Sequence, residues 1–300
     1  MRAFSADSHP GHKRGHNEDC YKANPEQQLW LVADGVGGHS NGEVAAAIVR
    51  DTLDQDLADG ASLIDAIHHS HAAILAEIAS REGSNMGSTV VALRLTDSDY
   101  EIAWVGDSRA YLFDGNTVKQ ITRDHNPVSE MLARGAITPQ QAANHPERNV
   151  LSQSLGVSDT ITVSPDRIRG ELHKGQQILL CSDGLTDELT DVQIEQIMSA
   201  RKSPDEQVQA LIQAALDSGG RDNVTVVIVG DKATLMVPQG GDGYRYFRKG
   251  VERNMEMPQA PGGNHWHLWV DHARGGAASL TPLNYAGKVS ETLAIGALAS

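Results

Sequence analysis

Short apolar runs that stop at an acidic or turn residue recur along the chain, and they predict buried strands with accessible ends. The first such run, Leu29 to Ala33, ends at Asp34-Gly35. The other strand-like stretches are Ser88 to Leu95, Tyr100 to Val105, Ala110 to Phe113, Val118 to Ile121, Ile161 to Val163, Gln177 to Ser182 and Asn223 to Val229. Because the stretches between Ser88 and Ile121 follow one another closely, they predict a meander of adjacent antiparallel strands.

Apolar residues at helical spacing predict two long amphipathic helices after the first strand. One begins near Gly42 and continues to Leu57, and the second runs from Leu63 to Ile78. Two further helices are predicted over Asp191 to Ala200 and Pro204 to Leu216. Strands in runs and helices in pairs, without regular alternation, indicate antiparallel sheets with helices packed outside them.

The segment from Asn126 to Asn149 is polar and contains only short helical pieces, such as Val128 to Ala133. Proline and glycine interrupt it four times, at Pro127, Gly135, Pro139 and Pro146. An insertion of this size between strands is more typical of a flap over a site than of a core element.

The character of the chain changes after about Asp231. Residues 236–300 are rich in glycine and proline, yet they hold six of the thirteen aromatic residues, which is too many for a plain solvated tail. We therefore predict a main domain over residues 1–234 and a C-terminal extension, residues 235–300, whose structure and role the sequence leaves open.

Charge and apolar content narrow the class of protein. The net charge is −14, and residues 1–234 carry 19 basic against 34 acidic side chains, which argues against nucleic acid as a partner. No apolar run approaches the ~18 residues of a membrane helix, and the first residues lack the apolar block of a signal peptide. The sequence therefore predicts a cytoplasmic protein without a membrane partner. Its two cysteines, Cys20 and Cys181, fit buried small side chains better than redox-sensitive thiols.

Four aspartates stand where predicted strands meet solvent: Asp34, Asp107, Asp183 and Asp222. Carboxylates brought together at such ends repel one another unless cations lie between them. Oxygen ligands suit Mg²⁺ or Mn²⁺, and the Cys and His of a softer site are absent from these motifs. Two such ions about 3.5–4 Å apart generate hydroxide near neutral pH and stabilise an in-line phosphoryl displacement.

The order of the motifs points to a family. The series is Arg14-Gly15-His16-Asn17-Glu18-Asp19, Ala33-Asp34-Gly35-Val36-Gly37-Gly38-His39, Gly87-Ser88-Thr89, Val105-Gly106-Asp107-Ser108-Arg109, Asp124-His125, Ser182-Asp183-Gly184 and Gly220-Arg221-Asp222-Asn223. From about Phe4 to Gly230 it resembles the PP2C-type metal-dependent protein serine/threonine phosphatases, in their bacterial form. Any single Asp-Gly pair is a turn, but the ordered set is specific.

The resemblance implies an α+β fold, a four-layer αββα sandwich in which helix pairs flank two antiparallel β-sheets. It also implies two or three Mn²⁺ or Mg²⁺ ions and hydrolysis of phosphoserine and phosphothreonine by a metal-bridging water. Partners would be phosphorylated proteins, a bacterial Ser/Thr kinase and its targets, and the chain would be a monomer.

Metal ligands follow from the resemblance position by position. Asp34 would bridge the first two ions, and the backbone carbonyl of Gly35 would bind the second. Asp183 and Asp222 would complete the first site. Asp107, together with Asp183, would hold a more weakly bound third ion.

The resemblance assigns the remaining roles to groups around these ligands. Glu18 and Asp19 would orient water molecules around the metals, and Arg14 would hold the substrate phosphate, which a planar guanidinium can grip through two oxygens. The catalytic set would thus be Arg14, Asp34, Asp183 and Asp222. Eukaryotic relatives have a histidine, considered a general acid, where this chain has Val36. His39 follows in the glycine-rich turn, where a structural role is the better interpretation.

Several other patterns favour structural interpretations. The turn Gly35-Val36-Gly37-Gly38 lacks the spacing of a nucleotide-binding loop. The neighbouring His68, His69 and His71 point in different directions on a helix, which disfavours a metal site. Ser88 and Ser182 lack the partners of a nucleophilic serine.

Two alternatives to a protein phosphatase stay open from the sequence. One is a noncatalytic, phosphatase-like module that binds or senses a phosphorylated partner, and the loss of a central aspartate would favour it. The other is a two-metal hydrolase of small phosphate esters, which a comparison of substrates would separate.

Overall fold

The structure is a computed structural model that describes residues 3–37, 41–81, 85–156, 162–200 and 202–230, together with the backbone of residues 245–248 and 251–254. His39, residue 161 and most of the C-terminal extension lie outside the described residues. The described residues up to Gly230 belong to one compact unit. Within the described residues, no helix combines the length and apolar character needed to cross a bilayer.

Seven helices are described: α1 (Asn41–Ala58), α2 (Leu63–Ser80), α3 (Pro127–Ala133), α4 (Pro139–Ala143), α5 (Asp183–Thr186), α6 (Asp191–Met198) and α7 (Pro204–Ser218). Local sequence explains several starts. The Ser62 side chain caps α2, and reciprocal capping boxes begin α6 at Thr190 and α7 at Ser203. Proline occupies the first turn of α7, where its missing N–H is tolerated. The four helices predicted from periodicity are confirmed, with ends within a few residues.

The strands of the main unit are β1 (Phe4–His9), β2 (Asp19–Asn24), β3 (Leu29–Val36), β4 (Gly87–Ser88), β5 (Val90–Thr96), β6 (Asp99–Val105), β7 (Arg109–Phe113), β8 (Val118–Gln120), β9 (Asp166–Glu171), β10 (Gln177–Cys181) and β11 (Val224–Gly230). They form two antiparallel sheets. The first sheet has the order β1-β11-β10-β7-β8, and the second has the order β2-β3-β5-β6-β9, with β4 paired to β3. Beyond them, β12 (Arg245–Arg248) and β13 (Val251–Asn254) form a separate two-stranded sheet.

Side-chain alternation along the strands explains the layers. Trp30 and Val32 of β3 pack with Ile178 and Leu180 of β10 in one cluster between the sheets. Successive side chains of a strand point to opposite faces, so the intervening residues pack outward. Both faces of the central strands are therefore buried, which explains why they read as continuous apolar runs.

Helices cover the outer faces of both sheets. The outward side chains of β3 pack with residues of α1 and α2, including Leu53 and Ile67. Those of β10 and β11 pack with residues of α6 and α7, including Ile194 and Leu211. Each fully buried leucine or isoleucine contributes about 1.5–3 kcal/mol. The result is the expected four-layer αββα sandwich.

The predicted meander is wrong at its centre, because β6 and β7 belong to different sheets. The chain crosses between the sheets at Gly106, whose φ is +107°. A residue with a Cβ is strained at this φ, and the Cβ would lie 2.6 Å from the Thr89 side chain. Within the predicted meander, β5 pairs with β6 and β7 pairs with β8 as the expected hairpins.

Three strands of the two main sheets went unpredicted, and one expected strand is wrong. β1 and β2 carry mixed polar residues, and β9 reads Asp-Arg-Ile-Arg-Gly-Glu, with one apolar side chain in six. All three lie at sheet edges, where one neighbour suffices and a continuous apolar run is not required. Within the predicted strand Ile161 to Val163, the described residues have no strand structure.

The flap predicted over Asn126 to Asn149 contains α3, as expected, and the short α4. Its two ends are tied together, since Asn126 Nδ2 donates to the Arg148 carbonyl at 2.9 Å and Ser152 N–H donates to the His125 carbonyl at 2.8 Å. Its action on substrates stays a prediction.

Candidate metal and phosphate site

The ends of strands from both sheets converge on a group of carboxylates. Asp19 begins β2 and lies opposite Asp34 in the antiparallel register. Asp183 follows β10, and Asp222 precedes β11, to which β10 is paired. The structure therefore brings together side chains that are 203 positions apart in sequence, from Asp19 to Asp222.

Asp19 is a buried carboxylate held by two hydroxyl groups. Ser182 Oγ and Thr225 Oγ1 each donate to its Oδ2 at 2.7 Å, which links β2 of the second sheet to the first sheet. Burial raises the pKa of Asp19 to about 6, although these two hydrogen bonds lower it. Its Oδ1 is buried and accepts no hydrogen bond from any described residue.

Asp34 and Asp183 form the electrostatic centre of the group. Burial, followed by the nearby carboxylates of Asp19, Asp183 and Asp107, raises the pKa of Asp34 well above its usual value. Burial, followed by Asp107 and Asp222, does the same to the pKa of Asp183. Asp183 Oδ1 is also buried without a described hydrogen-bond partner. Both residues keep some accessible surface, so an ion could reach them.

Asp107 lies at the crossover between the sheets, and the neighbouring backbone is fixed. Gly106 N–H donates to His125 Nδ1 at 3.2 Å, and His125 N–H donates back to the Gly106 carbonyl at 2.9 Å. Burial, followed by the Asp124 carboxylate, raises the pKa of Asp107 to about 6.

Asp187 belongs to the same acidic group and was missed from the sequence. Its charge raises the pKa of both Asp107 and Asp183. The signal was available, because Asp187 follows Asp183 by one helical turn, a spacing that places two side chains on one face. At the flap, Asn149 Nδ2 donates to Asp187 Oδ2 at 2.6 Å.

Arg14 contacts the acidic group directly. Its Nη2 lies 2.6 Å from Asp222 Oδ2, and this hydrogen bond is the main reason that its pKa is raised. About half of the arginine side chain is exposed. The guanidinium therefore stands at the edge of the carboxylates, where a phosphate can reach it.

A backbone hydrogen bond connects the end of β3 at Gly35 to Glu18, beside the carboxylates. Gly35 N–H donates to the Glu18 carbonyl at 3.1 Å. A Cβ on Gly35 would lie 2.1 Å from the Gly42 carbonyl oxygen, so the start of α1 can approach only a glycine.

The carboxylates fit a hard divalent cation by their chemistry. They supply only oxygen, and they include a buried, unpartnered oxygen on Asp183 beside other negative groups. Among the described residues, no three His, Cys, Asp or Glu side chains meet the spacing of a preformed metal site. The fit therefore rests on the mutual repulsion of the carboxylates, which a cation would relieve.

The cysteines and the histidine cluster behave as interpreted from the sequence. Burial raises the pKa of both Cys20 and Cys181 to about 12, which keeps the thiols protonated and inert. His69 Nδ1 lies 2.7 Å from Asp56 Oδ2, whereas His71 Nδ1 accepts from Gly156 N–H at 3.0 Å. The two rings have different partners and do not form a common site.

The raised pKa values predict an unusual dependence of stability on pH when EDTA is present. Asp19 and Asp107 titrate near pH 6 when folded and near 3.9 when unfolded, so the folded state binds more protons between these values. The free energy of unfolding should therefore fall as the pH rises from about 4 through 6, by on the order of 1.4 kcal/mol for each unit of pKa shift.

Urea unfolding between pH 4 and 8 would measure this slope, and Asp107→Asn should flatten part of it. Carboxylates with a lowered pKa, such as Asp51 and Asp54, stabilise the folded state by a constant amount across this pH range. They lose that stabilisation only at lower pH, as the pH falls through their folded pKa. A free energy of unfolding that rises with pH in EDTA would contradict the assignment.

Comparisons with known proteins agree on one family. The family described as Protein phosphatase 2C matches residues 1–131. The serine/threonine phosphatase stp of Listeria welshimeri is 35% identical over 233 residues, which cover 73% of this chain and 92% of that protein.

Solved structures give the same result. The catalytic domain of the serine/threonine protein phosphatase PstP, in complex with two manganese ions, is 32% identical, with a TM-score of 0.68 over 77% of this chain and 99% of that chain. PppA, a key regulatory component of T6SS in Pseudomonas aeruginosa, is 30% identical, with a TM-score of 0.67 over 76% of this chain and 97% of that one.

Proposed function

Because the chain belongs to the protein phosphatase 2C family and is a metal-dependent protein phosphatase, we propose that it hydrolyses phosphoserine and phosphothreonine on proteins, opposing a Ser/Thr kinase. The observation that carries this proposal is the pair of close carboxylates, Asp34 and Asp183, at an edge of the two sheets where Arg14 contacts the neighbouring Asp222. Divalent cations at such a site supply an activated water and neutralise charge on the phosphoryl group.

Five residues are proposed to hold the cations: Asp34, Gly35 through its carbonyl, Asp107, Asp183 and Asp222. Asp34 and Asp183 are central because each interacts with Asp19 and Asp107. Two ions would lie among Asp34, Asp183 and Asp222, and a third would lie on the side of Asp107. Asp187 faces that same side.

The carboxylate of Asp19 is suited to orient a water molecule. Its Oδ2 is occupied by the Ser182 and Thr225 hydroxyls, so its orientation is fixed and its Oδ1 is free to accept from a water. Glu18 directly precedes it, at the end of the loop before β2, and is proposed to act in the same way. These contacts would direct the attacking oxygen without requiring a phosphoenzyme.

Removal of the Arg14 guanidinium should weaken substrate binding more than metal binding. Arg14→Ala loses a charge-assisted, two-oxygen contact to phosphate. We expect kcat/KM for a phosphopeptide to fall about 30- to 1000-fold, which corresponds to about 2–4 kcal/mol, mostly through KM. Steady-state kinetics at saturating Mn²⁺ would measure this, with Mn²⁺-induced thermal stabilisation as the reference. An unchanged kcat/KM together with lost Mn²⁺ binding would show that Arg14 supports the metals instead.

The function itself is tested by assaying the purified protein on matched phosphothreonine, phosphoserine and phosphotyrosine peptides and on a small aryl phosphate. We expect Mn²⁺-dependent release of phosphate from the first two peptides and none in excess EDTA. Turnover of the aryl phosphate alone would favour a hydrolase of small esters. Tight phosphopeptide binding without turnover would favour a noncatalytic module.

A further inference from the structure

The loop that carries Arg14 runs from Pro10 to Glu18 and connects β1 to β2. Arg14 itself is half exposed, and its side chain contacts Asp222 across the site. A long side chain on such a loop binds phosphate well only if the backbone beneath it is held in place, because loop ordering would otherwise oppose binding.

The buried amide of Asn223 bonds to this loop at three points. Its Nδ2 donates to the carbonyls of Pro10 and His16, both at 2.9 Å. Its Oδ1 accepts from the Glu18 N–H at 2.8 Å. The two donors and the acceptor therefore contact both ends of the loop, on either side of Arg14.

An asparagine is well suited to this position. A carboxylate could not donate to the two carbonyls, and a hydroxyl could not reach all three groups. Asn223 is 4% exposed, so water has little access to its amide. Without this amide, the loop carbonyls and N–H group that it bonds would lose their hydrogen-bond partner. It lies between Asp222 and the first residue of β11, so the first sheet fixes its backbone.

We propose that Asn223 is a positioning residue for phosphate recognition, which acts by holding the loop from Pro10 to Glu18 so that Arg14 faces the substrate phosphate. This inference rests on the proposed function, in which Arg14 binds that phosphate. It adds a residue that touches neither substrate nor metal. Its loss should raise KM for phosphopeptides and weaken inhibition by inorganic phosphate, with kcat and Mn²⁺ affinity much less changed.

A double-mutant cycle tests the inference. Asn223→Ala should raise KM about 10-fold, and Arg14→Ala should raise it more. Because Asn223 acts through Arg14, adding Asn223→Ala to Arg14→Ala should change KM by less than about 2-fold. Asn223→Asp keeps the acceptor for Glu18 but loses both donors, so it should also raise KM.

The matched control is Asn24→Ala. The Asn24 side chain also makes three hydrogen bonds, to Asp54, Glu26 and Gln27, but in the hairpin between β2 and β3. We expect it to lower the unfolding temperature without a change in KM. Mn²⁺-induced thermal stabilisation is measured for every variant.

The outcomes separate the inference from the proposed function. If Arg14→Ala itself leaves KM and phosphate inhibition unchanged, the phosphate role of Arg14 fails. If Arg14→Ala raises KM but Asn223→Ala raises it equally in both backgrounds, or lowers only kcat, Asn223 does not act through Arg14. If both Asn223 variants lose the cooperative unfolding transition of the parent, the residue supports the whole fold and the inference is overturned.

Discussion

Replacement of Asp183 with asparagine is expected to lower phosphatase activity at saturating Mn²⁺ by at least about 1000-fold. Asp183 is the proposed ligand shared between the main ions and the third ion, and an amide cannot supply its charge. Burial and the carboxylates of Asp107 and Asp222 already disfavour its ionised form. In EDTA the variant should therefore be at least as stable as the parent, since a repelled buried charge has been removed.

Three measurements separate a ligand from a structural residue here. They are activity against Mn²⁺ concentration, the unfolding temperature in EDTA, and the rise of that temperature on adding Mn²⁺. Asp183→Asn, and likewise Asp34→Asn, should lose the activity and the Mn²⁺-induced rise in unfolding temperature. Both variants should keep the unfolding temperature of the parent in EDTA. Asp217→Asn, on an exposed position of α7, should keep all three. Full activity of Asp183→Asn would refute the proposed metal centre.

The carboxylates could be found from sequence because their local pattern is strong. Asp34, Asp107 and Asp183 each end or follow an apolar run that becomes a central strand buried on both faces. Such strands have few alternative positions, so their ends are predictable. The four layers followed from the resemblance, and the two-sided burial of β3 and β10 explains them physically.

The parts that sequence reasoning missed depend on contacts between distant residues. The edge strands β1, β2 and β9 lack an apolar signature, because only one face or one neighbour supports them. The change of sheet at Gly106 looks locally like any hairpin, and only the fit against Thr89 and His125 shows otherwise.

Contacts at the site were hidden for the same reason. Asn223 follows the obvious Asp222 and reads as a turn residue, yet its amide bonds to a loop more than 200 positions earlier. Nothing near it in sequence indicates those partners. Asp187, by contrast, could have been predicted from the sequence, because it follows Asp183 at helical spacing. It was missed because the short helix α5 was not predicted.

Gly184→Ala is expected to have a large effect although it removes no functional group. A Cβ on Gly184 would lie 1.9 Å from the carbonyl oxygen of Asn223 and 2.9 Å from its carbon, so backbone must move. Asp183 directly precedes Gly184 and Asp222 directly precedes Asn223, so this backbone contact sets the distance between the two aspartates. A shift of about 1 Å between ligands lowers catalysis by about 100-fold, and overpacking lowers the free energy of unfolding by about 1–3 kcal/mol.

The control for this glycine is Gly60→Ala, in the turn between α1 and α2. Gly60 has a φ of +89° and no atom within 4 Å of an added Cβ, so the change brings backbone strain without a clash. It should lower stability modestly and leave activity and Mn²⁺ response intact. Gly184→Ala should instead reduce kcat and Mn²⁺ affinity together, because both depend on the same spacing. Loss of stability alone, with normal kcat and Mn²⁺ affinity in the folded fraction, would show that the separation of Asp183 and Asp222 tolerates the added methyl group.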